Sequence, residues 1–392
     1  MVRTKIRQEI IPIVLFFAAF TLYFATSSGN TPFNYFVRLA DAFLHGRYWV
    51  TDNPSWLSEL LPGGNGRFYV VYPPMPAILL VPFVAVFGAN FPQQILAHAL
   101  GAGAVVVTYW TSMAINKNVK KSVYVALCVG VGSIVWFMSS VGSSWYLGQV
   151  CAFFFLSAAL LESVGRKRIW IVGALLGAAY LSRTHTIITL PIYIYLLRTN
   201  LFTRHGLVSF VLSLGVFIGF DSLYNFLRFG SLFNQGYFLL PKALDELNAP
   251  WFAKGVVNLS YIPHNIQTMF WTFPTILNEV PYIRPSWNGL SIWITSPFFI
   301  YVLLAPLKDR IVQLSWLAIL SVFIIVASHG GNGFAQFGYR FAVDFYSFAF
   351  LLLAISLKRT ELTYLHWILL FAAIVVNTWG VIWINFMGWI AF

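Results

Sequence analysis

The run IIPIVLFFAAFTLYFATS, residues 10–27, decides the fold class of this chain. It carries no charged side chain, and about 20 apolar residues are needed to cross the hydrocarbon core of a bilayer. Arg3, Lys5 and Arg7 stand just before it, which is typical of a cytoplasmic helix end. The run is long for the apolar part of a signal peptide and no A-x-A cleavage site follows, so the sequence predicts an uncleaved first membrane helix.

Similar apolar runs recur along the whole chain. Of its 392 residues, 59% are hydrophobic and 9% are charged, and the mean hydropathy is +0.76. No stretch is polar and long enough to form a separate soluble domain, so we expect one integral membrane domain over residues 1–392. The net charge of +12 comes from Lys and Arg in short clusters between apolar runs, a pattern of cytoplasmic loops. The predicted partner is therefore the lipid bilayer and not nucleic acid.

Placing all the basic clusters in the cytoplasm orients the chain. The membrane spans that follow are 10–27, 92–114, 122–141, 145–163, 206–227, 289–306, 311–328, 339–357 and 363–390. Between them lie a first outside loop, about 28–91, and a second large outside loop, about 228–288. The sequence thus predicts an all-α polytopic bundle of about 9–12 transmembrane helices, with amphipathic or re-entrant helices in the first outside loop.

Two apolar segments are unsuited to a simple crossing. Residues 73–88 are short and contain four prolines, which favours a re-entrant or interfacial helix. Residues 169–197 form two short halves broken by Ser182-Arg183-Thr184-His185, which favours a hairpin with its polar tip buried in the bundle. Irregular backbone at membrane depth is tolerated only against protein or a wet cavity. Both segments therefore indicate a cavity that opens to the outside.

The chain has only 12 acidic residues, and three of them stand in the first outside loop: Asp41, Asp52 and Glu59. A carboxylate in a loop folded over a cavity can act as a general base that removes a proton from an attacking hydroxyl. All three are candidate bases. The alternatives are a solvated helix position or a pair with His45 for Asp41, and a helix cap for Asp52.

The predicted helix that ends at residue 228 carries a polar face. Asp221, Tyr224, Asn225 and Arg228 are spaced i, i+3, i+4 and i+7 at its outer end. Ionisable residues in membrane helices usually face the bundle interior and mark a site, and Arg offers a forked donor suited to phosphate oxygens. The alternative is a structural Asp–Arg pair that steadies the helix end.

Arg183 and His185 lie at the tip of the predicted hairpin and need an anion. A lipid phosphate, Asp221 and Asp344 are all candidate partners. Arg340 stands four residues before Asp344, which suits an intrahelical ion pair. No nucleotide-binding fingerprint and no His/Cys set with metal-ligand spacing is present, so no cofactor is predicted; a divalent cation stays open without support from the sequence.

Several motifs in series resemble one known family. They are LADAFLHGR (39–47), GRFY (66–69), YPPMPA (72–77), LSR (181–183), YNxxRFGS (224–231), GY (236–237) and FGYRFxxD (337–344). Their order and spacing resemble the GT-C-type polytopic membrane glycosyltransferases, a group that includes protein O-mannosyltransferases and the lipid A aminoarabinose transferase. The resemblance covers most of the chain and implies a GT-C-like bundle in the plasma membrane.

The resemblance also implies an activity. A sugar carried on a polyprenyl phosphate is transferred to an acceptor on the extracytoplasmic face, with inversion, by a carboxylate of the first loop. Basic residues hold the departing lipid phosphate, and the matching candidates here are Arg228, Arg183, Arg67 and Arg340. Further substrate contacts are expected from Tyr72, His185, Asp221, Asn225 and Tyr237.

The chain departs from the family pattern at two adjacent positions. Many relatives carry an Asp-Glu pair just after the first span, where this chain has Thr31-Pro32. Glu59, Asp52 or Asp41 must then supply the base. Two alternatives stay open: a transporter or flippase of a lipid-linked sugar, and a non-catalytic relative that acts as an assembly subunit. Internal repeats, the usual mark of a transporter, are not evident, and the long polar first loop suits an enzyme better.

Overall fold

The computed structural model describes the backbone of residues 2–388 and the side chains of residues 9–388. The side chains of Arg3, Lys5 and Arg7 and the last two residues of the predicted span 363–390 lie outside that part. The α-helices are α1 (Val2–Ala25), α2 (Tyr35–Leu44), α3 (Met75–Phe87), α4 (Gln94–Asn116), α5 (Val119–Gly130), α6 (Val135–Val141), α7 (Ser144–Val164), α8 (Ile169–Tyr180), α9 (Leu190–Leu201), α10 (Arg204–Phe229), α11 (Gly236–Ala243), α12 (Ile262–Trp271), α13 (Ile292–Thr295), α14 (Arg310–Ala327), α15 (Val343–Arg359) and α16 (Tyr364–Asn385).

Short 3₁₀ segments and two small hairpins complete the secondary structure. The 3₁₀ segments are Thr184–Thr189, Leu259–Tyr261, Pro297–Leu304 and Arg340–Ala342. Strands β1 (Leu60–Pro62) and β2 (Phe68–Val70) pair antiparallel, with Leu61 opposite Tyr69. Strands β3 (Thr275–Ile276) and β4 (Ile283–Arg284) pair in the same way.

The predicted all-α membrane architecture is confirmed. In the described part of the chain, α4, α7, α10, α14, α16 and the segment 340–359 are long and apolar enough to cross a membrane, and α5 with α6 forms a seventh candidate bent by 51°. Shorter apolar helices are Glu9–Ala25, Met75–Phe87 and Ile169–Tyr180. Continuous α-helix is absent from the predicted span 289–306, and this prediction is wrong. Ser296 has a φ of −148°, because the proline that follows it disfavours the helical conformation.

Helix α15 lies at the centre of the bundle and α10 at its edge. The apolar window of segment 340–359 is 94% buried, whereas that of α10 is only 22% buried. Helix α8 packs against α10 through Gly173 and Gly177, where a Cβ atom would collide with Ser213 and Phe217. Small residues at this spacing let two membrane helices approach closely. The exposed apolar face of α10 is therefore the lipid-facing edge of this side of the bundle.

The loops predicted to lie outside fold over one end of the bundle. The amphipathic helix expected in the first outside loop is α2, and Tyr35 and Leu39 on its apolar side are fully buried. The proline-containing segment forms α3, which at 13 residues is shorter than a full crossing. The hairpin expected at 169–197 is broken after Tyr180, as its polar tip predicts. The second outside loop contributes α11, α12 and the β3–β4 hairpin.

Candidate active site

A cavity of about 800 Å³ lies between the outside loops and the central helices. Its walls come from the first loop, the start of α7, the break between α8 and α9, helix α11 and the turn before α15. The polar side chains that line it are Ser58, Glu59, Tyr72, Ser144, Gln149, Ser182, Arg183, Thr184, His185, Asn234, Tyr237, Glu246, His329 and Arg340. The non-α-helical backbone at Tyr72-Pro73 and at 182–185 therefore faces this cavity, as predicted for the apolar segments 73–88 and 169–197.

Glu59 is the one predicted base that lines this cavity. The indole N–H of Trp145 donates a hydrogen bond of 2.8 Å to its carboxylate. Its own backbone N–H donates to the hydroxyl oxygen of Tyr35 at 3.2 Å. Burial raises the pKa of Glu59 to about 7, although the Trp145 hydrogen bond and the charge of Arg340 act in the opposite direction. A carboxyl group with that pKa exchanges protons readily at neutral pH, which suits a general base.

The other two candidate bases are placed elsewhere. Asp52 forms an ion pair with Arg38, and its side chain is 55% exposed. Asp41 lies 3.7 Å from His45 and 4.0 Å from Arg47, so the pairing with His45 is formed. Neither carboxylate lines the cavity. The structure therefore separates Glu59 from the two acids that the sequence grouped with it.

A buried ion cluster lies beside the cavity, and two of its members, Arg183 and His185, line it. The carboxylate of Asp344 is fully buried and accepts hydrogen bonds from the Nη2 and Nε of Arg183 at 2.8 and 3.2 Å. The Nε2 of His185 lies 3.1 Å from the same oxygen, and Gln149 donates to the other oxygen at 3.4 Å. Asp344 is thus the anion that the polar hairpin tip required. The Asp344 carboxylate therefore balances the positive charge of Arg183 when no ligand is bound.

The expected Arg340–Asp344 pair is not formed, and that interpretation is wrong. Residues 340–342 make a 3₁₀ turn, and α15 begins only at Val343, so the i, i+4 geometry of an α-helix is absent. In the described part of the chain, Arg340 has no ion pair, and its buried Nε has no hydrogen-bond partner. Its guanidinium lies over Tyr146 at 5.4 Å and over Phe341 at 5.3 Å. A cation in this setting is best satisfied by an anionic ligand.

Two tyrosines lie near these charged groups. Tyr237 from α11 lines the cavity, and its ring lies 6.3 Å from that of Tyr72. Burial raises the pKa of the Tyr237 hydroxyl, so it stays a neutral donor at neutral pH. The Tyr72 hydroxyl has no hydrogen-bond partner within the described structure. The Tyr237 hydroxyl accepts a hydrogen bond from Arg183 and can donate its own proton to a ligand.

Four predicted substrate residues lie outside this cavity. Arg228 donates to the backbone oxygen of Val70 at 2.7 Å and to the side chain of Asn225 at 2.6 Å, which ties α10 to β2. Asp221 accepts a hydrogen bond of 2.7 Å from Tyr180, and Arg67 lies over the Trp49 ring at 4.5 Å. These contacts fit the structural alternative for the α10 face. A substrate role for the four residues stays a prediction.

Sequence reasoning missed several residues of the cavity wall, among them Trp145, Gln149 and Glu246. Trp145 and Gln149 belong to α7, and nothing in their local sequence marks them as polar contacts of a site. Glu246 follows α11 and accepts a hydrogen bond of 3.0 Å from the indole of Trp251. Within the described residues no group of three or more His, Cys, Asp or Glu side chains could hold a metal ion.

Comparison with known proteins gives a fold and no sequence relative. No protein-family model and no curated protein sequence matches the chain. Two solved structures are similar: ArnT from Cupriavidus metallidurans bound to undecaprenyl phosphate and the same protein in the apo state. The first has 13% sequence identity and a TM-score of 0.54, and covers 91% of this chain and 61% of that chain. The second has 12% sequence identity and a TM-score of 0.50, and covers 89% of this chain and 60% of that chain.

The chain thus spans about three fifths of the length of ArnT, a GT-C glycosyltransferase. At this low identity the similarity speaks for the fold. It agrees with the resemblance of the serial motifs and with the apolar helices of the bundle. The chain has the GT-C membrane-glycosyltransferase fold of ArnT.

Proposed function

We propose that this chain is a membrane glycosyltransferase that moves a sugar from a polyprenyl-phosphate carrier to a hydroxyl group on the outer side of the plasma membrane. The observation that carries the proposal is the cavity that Glu59 lines together with Arg183 and Arg340. A transfer of this kind needs a base for the acceptor and cations for the leaving phosphate. Support also comes from ArnT, which has this fold and was solved with undecaprenyl phosphate.

The proposed step balances as a single displacement. The acceptor oxygen attacks the anomeric carbon while the bond from that carbon to the phosphate oxygen breaks. The polyprenyl phosphate leaves with the bonding electron pair, and the hydroxyl proton passes to Glu59. Attack from the side opposite the phosphate inverts the configuration. The hydrogen bond from Trp145 fixes the orientation of the carboxylate that receives the proton.

Arg340 is the main cation for the leaving phosphate. The charge of Arg183 is already balanced by Asp344, whereas Arg340 forms no ion pair in the part of the chain that the structure describes. The forked guanidinium suits two phosphate oxygens at once. Arg183, His185 and Tyr237 lie around the same space and supply further donors. Negative charge that develops on the phosphate as its bond to the sugar breaks is stabilised there.

The test is sugar transfer by the purified chain in lipid nanodiscs. The donor is a radiolabelled polyprenyl-phosphate hexose, and the wild type is compared with Glu59→Gln, Asp52→Asn and Asp41→Asn. We expect Glu59→Gln to lower turnover about 10²–10⁴-fold, and the exposed Glu279→Gln to serve as the matched control. Equal turnover in wild type and Glu59→Gln contradicts the assignment of the base. Movement of intact lipid-linked sugar across a bilayer without transfer favours the transporter alternative.

A further inference from the structure

The cavity contains a second carboxylate that the proposed reaction does not use. Glu246 lines the same space as Glu59, and its charge raises the pKa of Glu59, so the two groups are within electrostatic reach. In the described structure no Lys, Arg or His forms an ion pair with Glu246; its hydrogen bond comes from the neutral indole of Trp251. A carboxylate has about four acceptor positions, so most of its capacity is open to a ligand.

Aromatic rings surround this carboxylate. The Trp251 ring packs edge-on against Phe334 at 5.4 Å, and both line the cavity together with Trp287. Trp287 is 51% exposed. Cavities of this kind bind through their apolar walls and fix orientation through a few polar groups. The wall around Glu246 therefore suits a ligand with one apolar face and a hydroxyl-bearing edge.

Four charged side chains line the cavity: Arg183, Arg340, Glu59 and Glu246. A phosphate is attracted to the two arginines, and an anionic acceptor placed against Glu246 is repelled by its carboxylate. A sugar ring has a face of C–H groups and an edge of hydroxyl donors, which matches an aromatic wall beside a carboxylate.

We propose that Glu246, Trp251 and Phe334 form an acceptor subsite for a carbohydrate that carries no anionic group. The inference rests on the proposed function and names its acceptor class. Glu246 accepts hydrogen bonds from ring hydroxyls, and Trp251 and Phe334 pack against the C–H face. The hydroxyl that reacts then points to Glu59, which takes its proton as described above. Glu246 acts as a binding residue, so its removal affects the acceptor and not the donor.

The kinetic test measures the acceptor and water separately. The full chain in nanodiscs is given the polyprenyl-phosphate hexose with one of three acceptors. They are methyl α-D-mannopyranoside, the corresponding mannuronate glycoside with its free carboxylate, and an acetylated Ser/Thr peptide amide. We expect transfer to the neutral glycoside. In Glu246→Gln its KM rises about tenfold, the factor that belongs to one lost charged hydrogen bond. Hydrolysis of the donor by water stays within twofold, and Glu279→Gln leaves both rates unchanged.

A second readout keeps the subsite testable apart from the reaction. Saturation-transfer NMR records binding of methyl α-D-mannopyranoside to the wild type, Glu246→Gln and Trp251→Ala. Binding in the wild type that both variants lose supports the subsite even if no donor is consumed, and absent donor consumption contradicts only the proposed function. Preferred transfer to the peptide or the mannuronate overturns the inference. So does wild-type binding that the two variants retain.

Discussion

The hydrogen bond from Trp145 to Glu59 makes the pH dependence of turnover a sharp test of the site. Trp145→Phe keeps an aromatic ring against Phe33, whose ring centroid lies 4.6 Å away, and removes the N–H that donates 2.8 Å to the carboxylate. A hydrogen bond to a charged group contributes about 1.5–3 kcal/mol. At about 1.4 kcal/mol per pH unit, its loss raises the pKa of Glu59 by about one to two pH units.

The sign follows from the proton that Glu59 must accept. Only the ionised carboxylate is a base, so turnover falls as the pH drops through the pKa of about 7. Trp145→Phe moves this fall to higher pH. At pH 7 the ionised share then drops from about one half to roughly one in 10 to one in 100. Glu246→Gln moves the fall in turnover to lower pH, because the charge of Glu246 raises the pKa of Glu59.

The assay is kcat/KM for donor consumption between pH 5.5 and 9.5. We expect Trp145→Phe to recover most of the wild-type rate at the alkaline end, because the carboxylate is then ionised in both proteins. Glu59→Gln shows no such recovery. Trp170→Phe, a change to an exposed indole outside the cavity, is the control. A Trp145→Phe profile that falls at the same pH as the wild type refutes Glu59 as the titrating base.

Three further substitutions test the cavity residue Arg340, the buried carboxylate of Asp344, and Arg228 on the polar face of α10. Arg340→Gln should lower turnover about 100-fold, measured as kcat against kcat/KM for the donor, with partial recovery in Arg340→Lys. Asp344→Asn leaves a buried cation unpaired and should destabilise the folded chain by about 3–5 kcal/mol, measured by thermal unfolding in nanodiscs. Arg228→Gln loses two hydrogen bonds from a charged donor and should lower the unfolding temperature while the donor KM of the folded protein stays unchanged. A donor KM raised tenfold in that variant instead assigns Arg228 to the lipid phosphate.

Long apolar runs made the helices predictable. The spans expected at 145–163 and 206–227 are α7 (Ser144–Val164) and α10 (Arg204–Phe229), within two residues at each end. Hydropathy carries this information because a chain in lipid must satisfy its backbone hydrogen bonds within each helix. The prediction of a continuous helix at 289–306 was wrong, because hydropathy does not register the break at Ser296-Pro297.

The composition of the site was less accessible, since its contacts join residues far apart in sequence. The hydrogen bond that selects Glu59 comes from Trp145, 86 residues away, and the ion pair of Arg183 with Asp344 spans 161 residues. Local spacing instead suggested Arg340 as the partner of Asp344. The sequence could name three candidate bases, but the packing of α7 against the first loop distinguishes them.

The departure at Thr31-Pro32 bears on whether the chain has lost its base. In the family that the motifs resemble, an acidic pair stands at these two positions. Here the residues that follow support Glu59: Phe33 packs against Trp145, and Tyr35 accepts the backbone N–H of Glu59. The backbone oxygen of Phe33 also accepts hydrogen bonds of 3.1 and 2.8 Å from Ser144, which fixes the start of the helix that carries Trp145. The segment that supplies the acids in relatives thus holds a different acid in place. These contacts support the proposal that Glu59 is a relocated base, and the turnover of Glu59→Gln distinguishes it from a non-catalytic subunit.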